Sequence, residues 1–506
     1  MFEVRETDLA GRIGRLRTKG GTLETPALLP VIHPYRQEVE AGLVKELGFE
    51  AVMTNAYLAY KHYGPELLEK GIHKAIGFDG VVMTDSGGYQ VLEYGDIDIT
   101  PEEVVRIEEG MGSDLAVLLD RTTCLTRDRA EAGWSVSETI GLAKRSLKVI
   151  RRRDIVWVAP VQGGVFEDLV KLSAREALDL GFEMLALGSP TEVMESYRFD
   201  MLVRMVMAAK SVSPFGPFHL FGAGHPLTIP LAVAMGCDTF DSASYILYAK
   251  DGRYMTDWGT VRLEELNYLP CSCPVCSKGL EELMEMDEEE RVRNLAIHNL
   301  YVLKKEVEAT KEALSEGRLW EYLMLKVRAH PRLHQAVKLL SDYVDMLEDG
   351  TPSFKPRALF FFDELDYGRP EVVRHRRRLN WMRKREKLIL ALGTGERPFY
   401  GSKVHREILK ALGDRAGEFQ ICFILPPFGV VPVEVSDVYP LSQNEAPEGY
   451  LEETAKLLIP SIREYVESGG FSKVLVLDTG SGGEFLSAIS SALKAELVDL
   501  KGLAQA

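Results

Sequence analysis

Gly80-Val81-Val82-Met83-Thr84-Asp85-Ser86-Gly87-Gly88 joins a short apolar run, Gly80–Thr84, to a polar, glycine-rich corner. Such a run reads as a strand buried on both faces, because a strand with one face in water would alternate polar and apolar residues. The same phrase recurs through the first half of the chain. Pro26–Ile32, Glu50–Thr54, Leu115–Leu119, Ile155–Val161, Met184–Leu187, Phe218–Phe221 and Cys237–Phe240 are further short apolar runs, each followed by a corner and an amphipathic stretch. Buried strands separated by helical spacers pair in parallel through right-handed crossovers. Eight such units predict an α/β fold, a (β/α)8 TIM barrel, over residues 1–348.

Reactive groups in these barrels sit where strands end at the carboxyl-terminal rim. The corners place Asn55, Asp85-Ser86-Gly87-Gly88, Asp120, Gln162-Gly163-Gly164, Gly188-Ser189-Pro190, Gly222-Ala223-Gly224-His225 and Asp241 there. Three aspartates, a glutamine and several glycines at one rim predict a pocket for a flat polar ligand, approached closely by backbone N–H groups.

Beyond the eighth run, Pro270-Cys271-Ser272-Cys273-Pro274-Val275-Cys276 precedes His298 on a helical stretch. Cys271, Cys273, Cys276 and His298 read as ligands of one structural Zn²⁺: three thiolates and an imidazole suit a tetrahedral ion and leave no open position. The zinc subdomain spans about residues 265–300. Residues 281–350 are helical and charge-rich, and Asp349-Gly350-Thr351-Pro352-Ser353 has the composition of a linker. Leu388–Leu392, Phe419–Leu425 and Lys473–Leu477 then predict a smaller C-terminal α/β domain over 355–506.

The 506 residues are 46% hydrophobic and 27% charged, the balance of a soluble globular protein. No stretch is long and apolar enough for a membrane span, and Met1-Phe2-Glu3-Val4-Arg5-Glu6 lacks the regions of a signal peptide. With cysteines unsuited to a disulfide framework, a cytoplasmic location is expected. A formal net charge of −16 argues against a general nucleic-acid binder. One local exception is Arg374-His375-Arg376-Arg377-Arg378-Leu379-Asn380-Trp381-Met382-Arg383-Lys384-Arg385, which is either a solvated helix face or an RNA-facing surface.

Three groups of residues carry a family resemblance. Met83-Thr84-Asp85-Ser86-Gly87-Gly88-Tyr89-Gln90, Phe240-Asp241-Ser242-Ala243-Ser244-Tyr245 and the Cys271, Cys273, Cys276, His298 quartet resemble the tRNA-guanine transglycosylase family, in particular its archaeal branch. Phe221-Gly222-Ala223-Gly224-His225-Pro226 and Tyr248-Ala249-Lys250-Asp251-Gly252-Arg253-Tyr254-Met255-Thr256 agree. The resemblance covers about the first 345 residues. It implies a zinc-bearing barrel that replaces guanine at position 15, in the D-arm of tRNA, with 7-cyano-7-deazaguanine (preQ0) on the way to archaeosine. It further implies a homodimer.

Exchanging a base on an intact backbone means displacing it from C1′ through an oxocarbenium-like transition state, which suits a carboxylate nucleophile and a second carboxyl acting as acid and then base. The resemblance assigns these roles to Asp241 and Asp85. It also assigns Asp120 and Gln162 to the base edge, Tyr89 to a stacking wall, and Ser86, Gly188 and Ser189 to the rest of the pocket. Two features depart from the family pattern: Gly188-Ser189-Pro190, where Pro190 has no N–H, and Asp120-Arg121-Thr122-Thr123 in place of a proline-rich turn.

Archaeal members typically end in an RNA-binding PUA domain, for which no counterpart stands before Ala506. Either a separate PUA-domain protein supplies it, or the C-terminal domain binds RNA in its own way. Arg397-Pro398-Phe399-Tyr400-Gly401-Ser402-Lys403-Val404-His405 resembles a degenerate copy of the archaeosine synthase core. Two other functions stay open: a non-catalytic zinc-containing tRNA-binding paralogue, or an archaeosine synthase-like protein. For tRNA binding, Lys250 and Arg253 near the rim are further candidates.

Overall fold

The computed structural model describes residues 2–87, 99–382, 384–480 and 482–505. The chain divides into two compact units, Met1–Gly350 and Thr351–Ala506.

In the first unit eight parallel strands follow one another in chain order: β1 (Ala27–Pro30), β2 (Ala51–Asn55), β3 (Val81–Asp85), β4 (Leu115–Val117), β5 (Val156–Val161), β6 (Met184–Leu187), β7 (Phe218–Leu220) and β8 (Thr239–Ser242). β8 pairs with β1 in the register Leu29↔Asp241, and a parallel bridge between Val31 and Met53 joins the end of β1 to β2. The sheet is thereby closed into a TIM barrel. Leu29, Met53, Met83, Leu115, Val117, Val158 and Met184 belong to its packed lumen. Side chains alternate across a strand, so Val81 and Met83 inside the lumen put Asp85 inside it too, one step nearer the mouth. The register with Leu29 gives Asp241 the same inward direction. Strand parity alone therefore aims both aspartates into the mouth.

An N-terminal antiparallel sheet, Phe2–Asp8, Gly11–Thr18 and Gly21–Thr25, precedes the barrel; the apolar-run reading, which starts at Pro26, omits it. It seals the floor: Leu16 and Leu23 enter the lumen core, and Arg12 donates to both carboxylate oxygens of Asp238 at 2.8 and 2.7 Å. Arg12 also donates to the carbonyls of Phe215 and Gly216, just before β7. Removing one partner of such a buried pair costs about 3–5 kcal/mol, because the other charge is left unpaired. This clamp also shifts the eighth strand relative to the predicted Cys237–Phe240. Asp238 is held at the floor, the strand runs Thr239–Ser242, and Asp241 lies within it.

Helix starts follow ordinary capping chemistry. Thr100 and Glu103 form a capping box ahead of Pro101–Met111, while Asp128 and Asp287 cap Arg129–Val149 and Glu288–Ser315.

The second unit is built on a five-stranded sheet in the spatial order Gly429–Pro432, Phe419–Leu425, Lys387–Leu392, Lys473–Leu477, Glu496–Val498, antiparallel only at the first pair. The three predicted strands form its centre. The two additional ones are short edges. Apolar clusters lie on both faces, one including Ile389, Phe423 and Leu475, the other Leu390, Ile424 and Val476.

The basic segment divides in two. On the helix Pro370–Leu379, Arg374 donates to the carbonyls of Thr351 and Pro352, and Arg376 to those of Pro427 and Phe428, so both support the fold. Arg377, Arg378 and Trp381 face solvent, the indole with 82% of its residue surface exposed. Among the described residues no helix is long and apolar enough to cross a membrane.

Candidate active site

Three carboxylates converge at the barrel mouth. Asp241 is 8% exposed and accepts two hydrogen bonds on the same oxygen, Oδ1: from the Gly222 N–H at 3.0 Å and from His219 Nε2 at 3.1 Å. Gly222 can present its N–H there because its φ of +70° is readily adopted without a side chain. His219 is completely buried, and its Nδ1 meets the Thr239 hydroxyl at 2.9 Å.

Asp85 stands at the end of β3 and accepts from Asn55 Nδ2 at 3.0 Å. Burial, reinforced by the facing charges of Asp120 and then Asp241, pushes its carboxyl up to about 7. Behind it, Thr84 donates to the buried Glu108 at 3.0 Å, and Glu108 is held well above the carboxylate range by burial.

Asp120 is raised by burial to about 6, against the opposing hydrogen bond from Gln162 Nε2 at 2.5 Å. The Gln162 amide is itself held at both ends. Its Oε1 accepts from the Thr123 N–H (3.0 Å), the Thr123 hydroxyl (2.8 Å) and the Ser189 hydroxyl (3.0 Å). Ser189 adopts φ +62°, and its oxygen also accepts from the N–H groups of Thr123 and Cys124. A Cβ on Gly188 would lie 2.2 Å from Gln162 Nε2, so only glycine lets the chain leaving β6 pass this amide. The buried Ser86 hydroxyl lies 3.4 Å from the Leu118 carbonyl.

Later in the chain than β8, the side-chain ligand atoms of Cys271, Cys273, Cys276 and His298 all lie within 4.8 Å of one another. His298 Nε2 donates to the Met255 carbonyl at 2.9 Å, which leaves Nδ1 to face the sulfurs, 3.5 Å from Cys273 and 3.4 Å from Cys276. Tyr254 stacks on the imidazole with ring centroids 3.7 Å apart. The donor set fits a metal ion: three thiols and a ring nitrogen with its tautomer fixed by a backbone carbonyl. Asn299, next to His298, ties this cluster to the chain that follows β8. It accepts from the Met255 N–H at 2.9 Å and donates to the carbonyl of Tyr245 at 3.1 Å, four residues past Asp241.

The family model described as queuine tRNA-ribosyltransferase matches residues 8–332. The chain belongs to the tRNA-guanine transglycosylase family. It is similar to the tRNA-guanine(15) transglycosylase of Aeropyrum pernix, 46% identical over 464 residues that make up 88% of each chain. The protein of that name from Sulfolobus acidocaldarius is 42% identical over 94% of this chain and 95% of its own. The one from Pyrococcus furiosus is 39% identical over 92% of this chain and 75% of its own. As a member of this transglycosylase family the chain is a transferase.

Against the family pattern, the structure gathers Asp85, Asp120, Gln162, Gly188, Ser189 and Asp241 around the barrel mouth, and Ser86 directly follows β3. Tyr89, expected as a stacking wall, lies outside the described residues. Lys250 and Arg253 are engaged with acids, Glu38 and Asp251 respectively. Sequence reading missed His219, Thr239 and Asn299 in this transglycosylase. The available signal was a histidine inside the otherwise apolar Phe218-His219-Leu220-Phe221, where a lumen-facing polar residue needs a partner.

Proposed function

We propose that this chain exchanges guanine for 7-cyano-7-deazaguanine at position 15 of tRNA by double displacement, with Asp241 as nucleophile and Asp85 as acid and then base. What carries the reading is the division between the two lumen carboxyls: Asp85 is raised to about 7 by burial and its acidic neighbours, while Asp241 accepts two hydrogen bonds on one oxygen. A carboxyl raised in this way can serve as acid and then base beside a second carboxyl that attacks C1′. Near neutrality Asp85 still carries a proton to give to the departing guanine, and as a carboxylate it receives one from the incoming base.

Asp120, raised less far, can stand as an acceptor for the N–H edge of a guanine-like base, and Gln162 fixes its orientation. A base without that edge would leave Asp120 unpaired in a buried site, which is the basis of selectivity. The shared name of the relatives supports position 15 of tRNA as the site of exchange.

The quartet would hold one Zn²⁺, which supplies cross-linking strength rather than chemistry. Through Asn299 that brace reaches the backbone that follows Asp241. A cytoplasmic homodimer acting on tRNA is part of the same reading. In the second unit, Arg377, Arg378 and Trp381 form the RNA-facing part of the basic segment, offering phosphate contacts and a stacking surface. The degenerate archaeosine synthase-like segment at Arg397–His405 then serves as part of this binding domain.

The decisive experiment incubates the purified chain with tRNA and labelled guanine or its cyano-deaza analogue. Parent protein should incorporate label, and Asp241→Asn should neither exchange nor form a denaturation-stable tRNA adduct. Exchange by Asp241→Asn at the parent rate would refute the assignment.

A further inference from the structure

We infer that His219 is a positioning residue that gives the two oxygens of Asp241 different jobs, Oδ1 remaining the anchored oxygen and Oδ2 forming the bond to C1′. The inference rests on the double displacement proposed above and deepens it. Among the described residues both hydrogen bonds to this carboxylate, from His219 Nε2 and the Gly222 N–H, end on Oδ1. Among the described residues no donor reaches Oδ2. His219 cannot turn away, because it is completely buried and its Nδ1 is held by Thr239 at 2.9 Å. An ionised carboxylate only accepts, so the shared proton lies on Nε2, whether the ring is neutral with Thr239 donating to Nδ1 or doubly protonated. All three residues share one lumen-facing row: His219 pairs in register with Thr239, and Asp241 follows Thr239 by two positions.

This arrangement has a kinetic consequence. In the first displacement the C1′–N9 bond breaks as C1′–Oδ2 forms, and the proton on Asp85 leaves with guanine. In the second, N9 of the incoming base attacks C1′, its proton passes to Asp85, and the C1′–Oδ2 electron pair returns to the Asp241 carboxylate. Donors on Oδ1 bind a full carboxylate more strongly than the carbonyl oxygen of the glycosyl ester. They therefore stabilise the leaving carboxylate of the second step more than the adduct that precedes it. His219 works as a release device for the covalent intermediate.

The test uses the full chain with tRNA and labelled base, and follows both steady-state exchange and the fraction of protein carrying tRNA on a denaturing gel. His219→Phe, which fills the space without a donor, should lower kcat/KM for the base by roughly ten- to a hundredfold, the range for losing a hydrogen bond to a charged group. The value of kcat/KM for tRNA should fall much less, and the adduct should accumulate. His219→Gln, which restores an N–H donor, should recover most of the loss. Thr239→Val keeps the imidazole while removing its orienting hydroxyl, so it should move the same quantities in the same direction by a smaller factor, and it serves where the Phe variant fails to fold. Equal losses on the tRNA and base sides without adduct, or no recovery by His219→Gln in a folded variant, would overturn the inference. Asp241→Asn separates the two levels. Exchange by that variant sinks the double displacement itself, whereas an inactive Asp241→Asn beside an unaffected His219→Phe sinks only the role of His219.

Discussion

Substituting Gly188 by alanine tests whether the base edge depends on the packing of one amide. The added Cβ would lie 2.2 Å from Gln162 Nε2 and 2.7 Å from its Cδ, more than 1 Å inside an ordinary contact. Gln162 cannot yield that distance and keep its bonds, because its oxygen is held by Thr123 and Ser189 at 2.8–3.0 Å and its nitrogen by Asp120 at 2.5 Å. Overpacking of this kind together with one or two lost hydrogen bonds costs about 2–4 kcal/mol. Gly188 has no left-handed φ, so backbone strain does not add to the cost. The control is Gly141→Ala on the exposed side of the helix Arg129–Val149, where an added Cβ meets nothing within 4 Å. That change should stabilise the protein by about 0.5–1 kcal/mol through helix propensity. Thermal unfolding of both variants and the KM for guanine measure the outcome. Gly188→Ala should melt lower and raise the KM for base roughly tenfold or more, while Gly141→Ala should melt no lower and keep its KM. A Gly188→Ala protein with parental stability and parental KM would refute the claim that Gln162 is locked.

Exchange should follow a bell-shaped pH profile. In the tRNA half-reaction Asp85 must hold its proton, so kcat/KM for tRNA falls as pH rises through about 7, and Asp120 must be ionised, so it falls as pH drops through about 6; both limbs are properties of the coupled cluster. Asp120→Asn removes the largest charge effect on Asp85 and should move the alkaline limb to lower pH in profiles of the residual activity. Metal analysis should find about one zinc per chain and none in Cys273→Ala, whose melting temperature should drop. Arg377→Glu with Arg378→Glu should reduce the salt slope of tRNA binding by about two, whereas Arg376→Ala should lower melting by removing the donor to the carbonyls of Tyr367, Pro427 and Phe428.

The barrel was readable because its strands are buried on both faces and each ends in a polar corner. The N-terminal sheet was not, since Gly-Arg-Ile-Gly-Arg-Leu-Arg-Thr at 11–18 alternates polar and apolar residues and lacks a continuous apolar run. Its energetic importance comes from Arg12 meeting Asp238 more than two hundred residues later, a contact no local pattern encodes. The clustering of Cys271, Cys273, Cys276 and His298 and the place of Asp85 and Asp241 at the rim could be read because each sits in or beside a compact motif. His219, Thr239 and Asn299 could not, because each acquires its meaning from strand register or from a neighbour on another element. The basic segment shows the same limit in reverse: neighbouring arginines look alike in sequence, yet helix geometry turns Arg376 inward and Arg377 outward.

The closure of β8 onto β1 also sets when the protein can first act. Asp241 gains its position from pairing opposite Leu29, and the backbone just after it is pinned by Asn299 on a later helix. A chain leaving the ribosome amino terminus first presents Asp85, Asp120 and Gln162 while the ring still gapes, before the proposed nucleophile Asp241 is in place. Only after the residues up to Asn299 have emerged can the last strand dock and its supporting turn be fixed. With Asp241 as the proposed nucleophile, reactivity toward RNA is thus withheld from every shorter nascent intermediate, and on that mechanism a truncated product lacking β8 has no means of cutting a glycosidic bond.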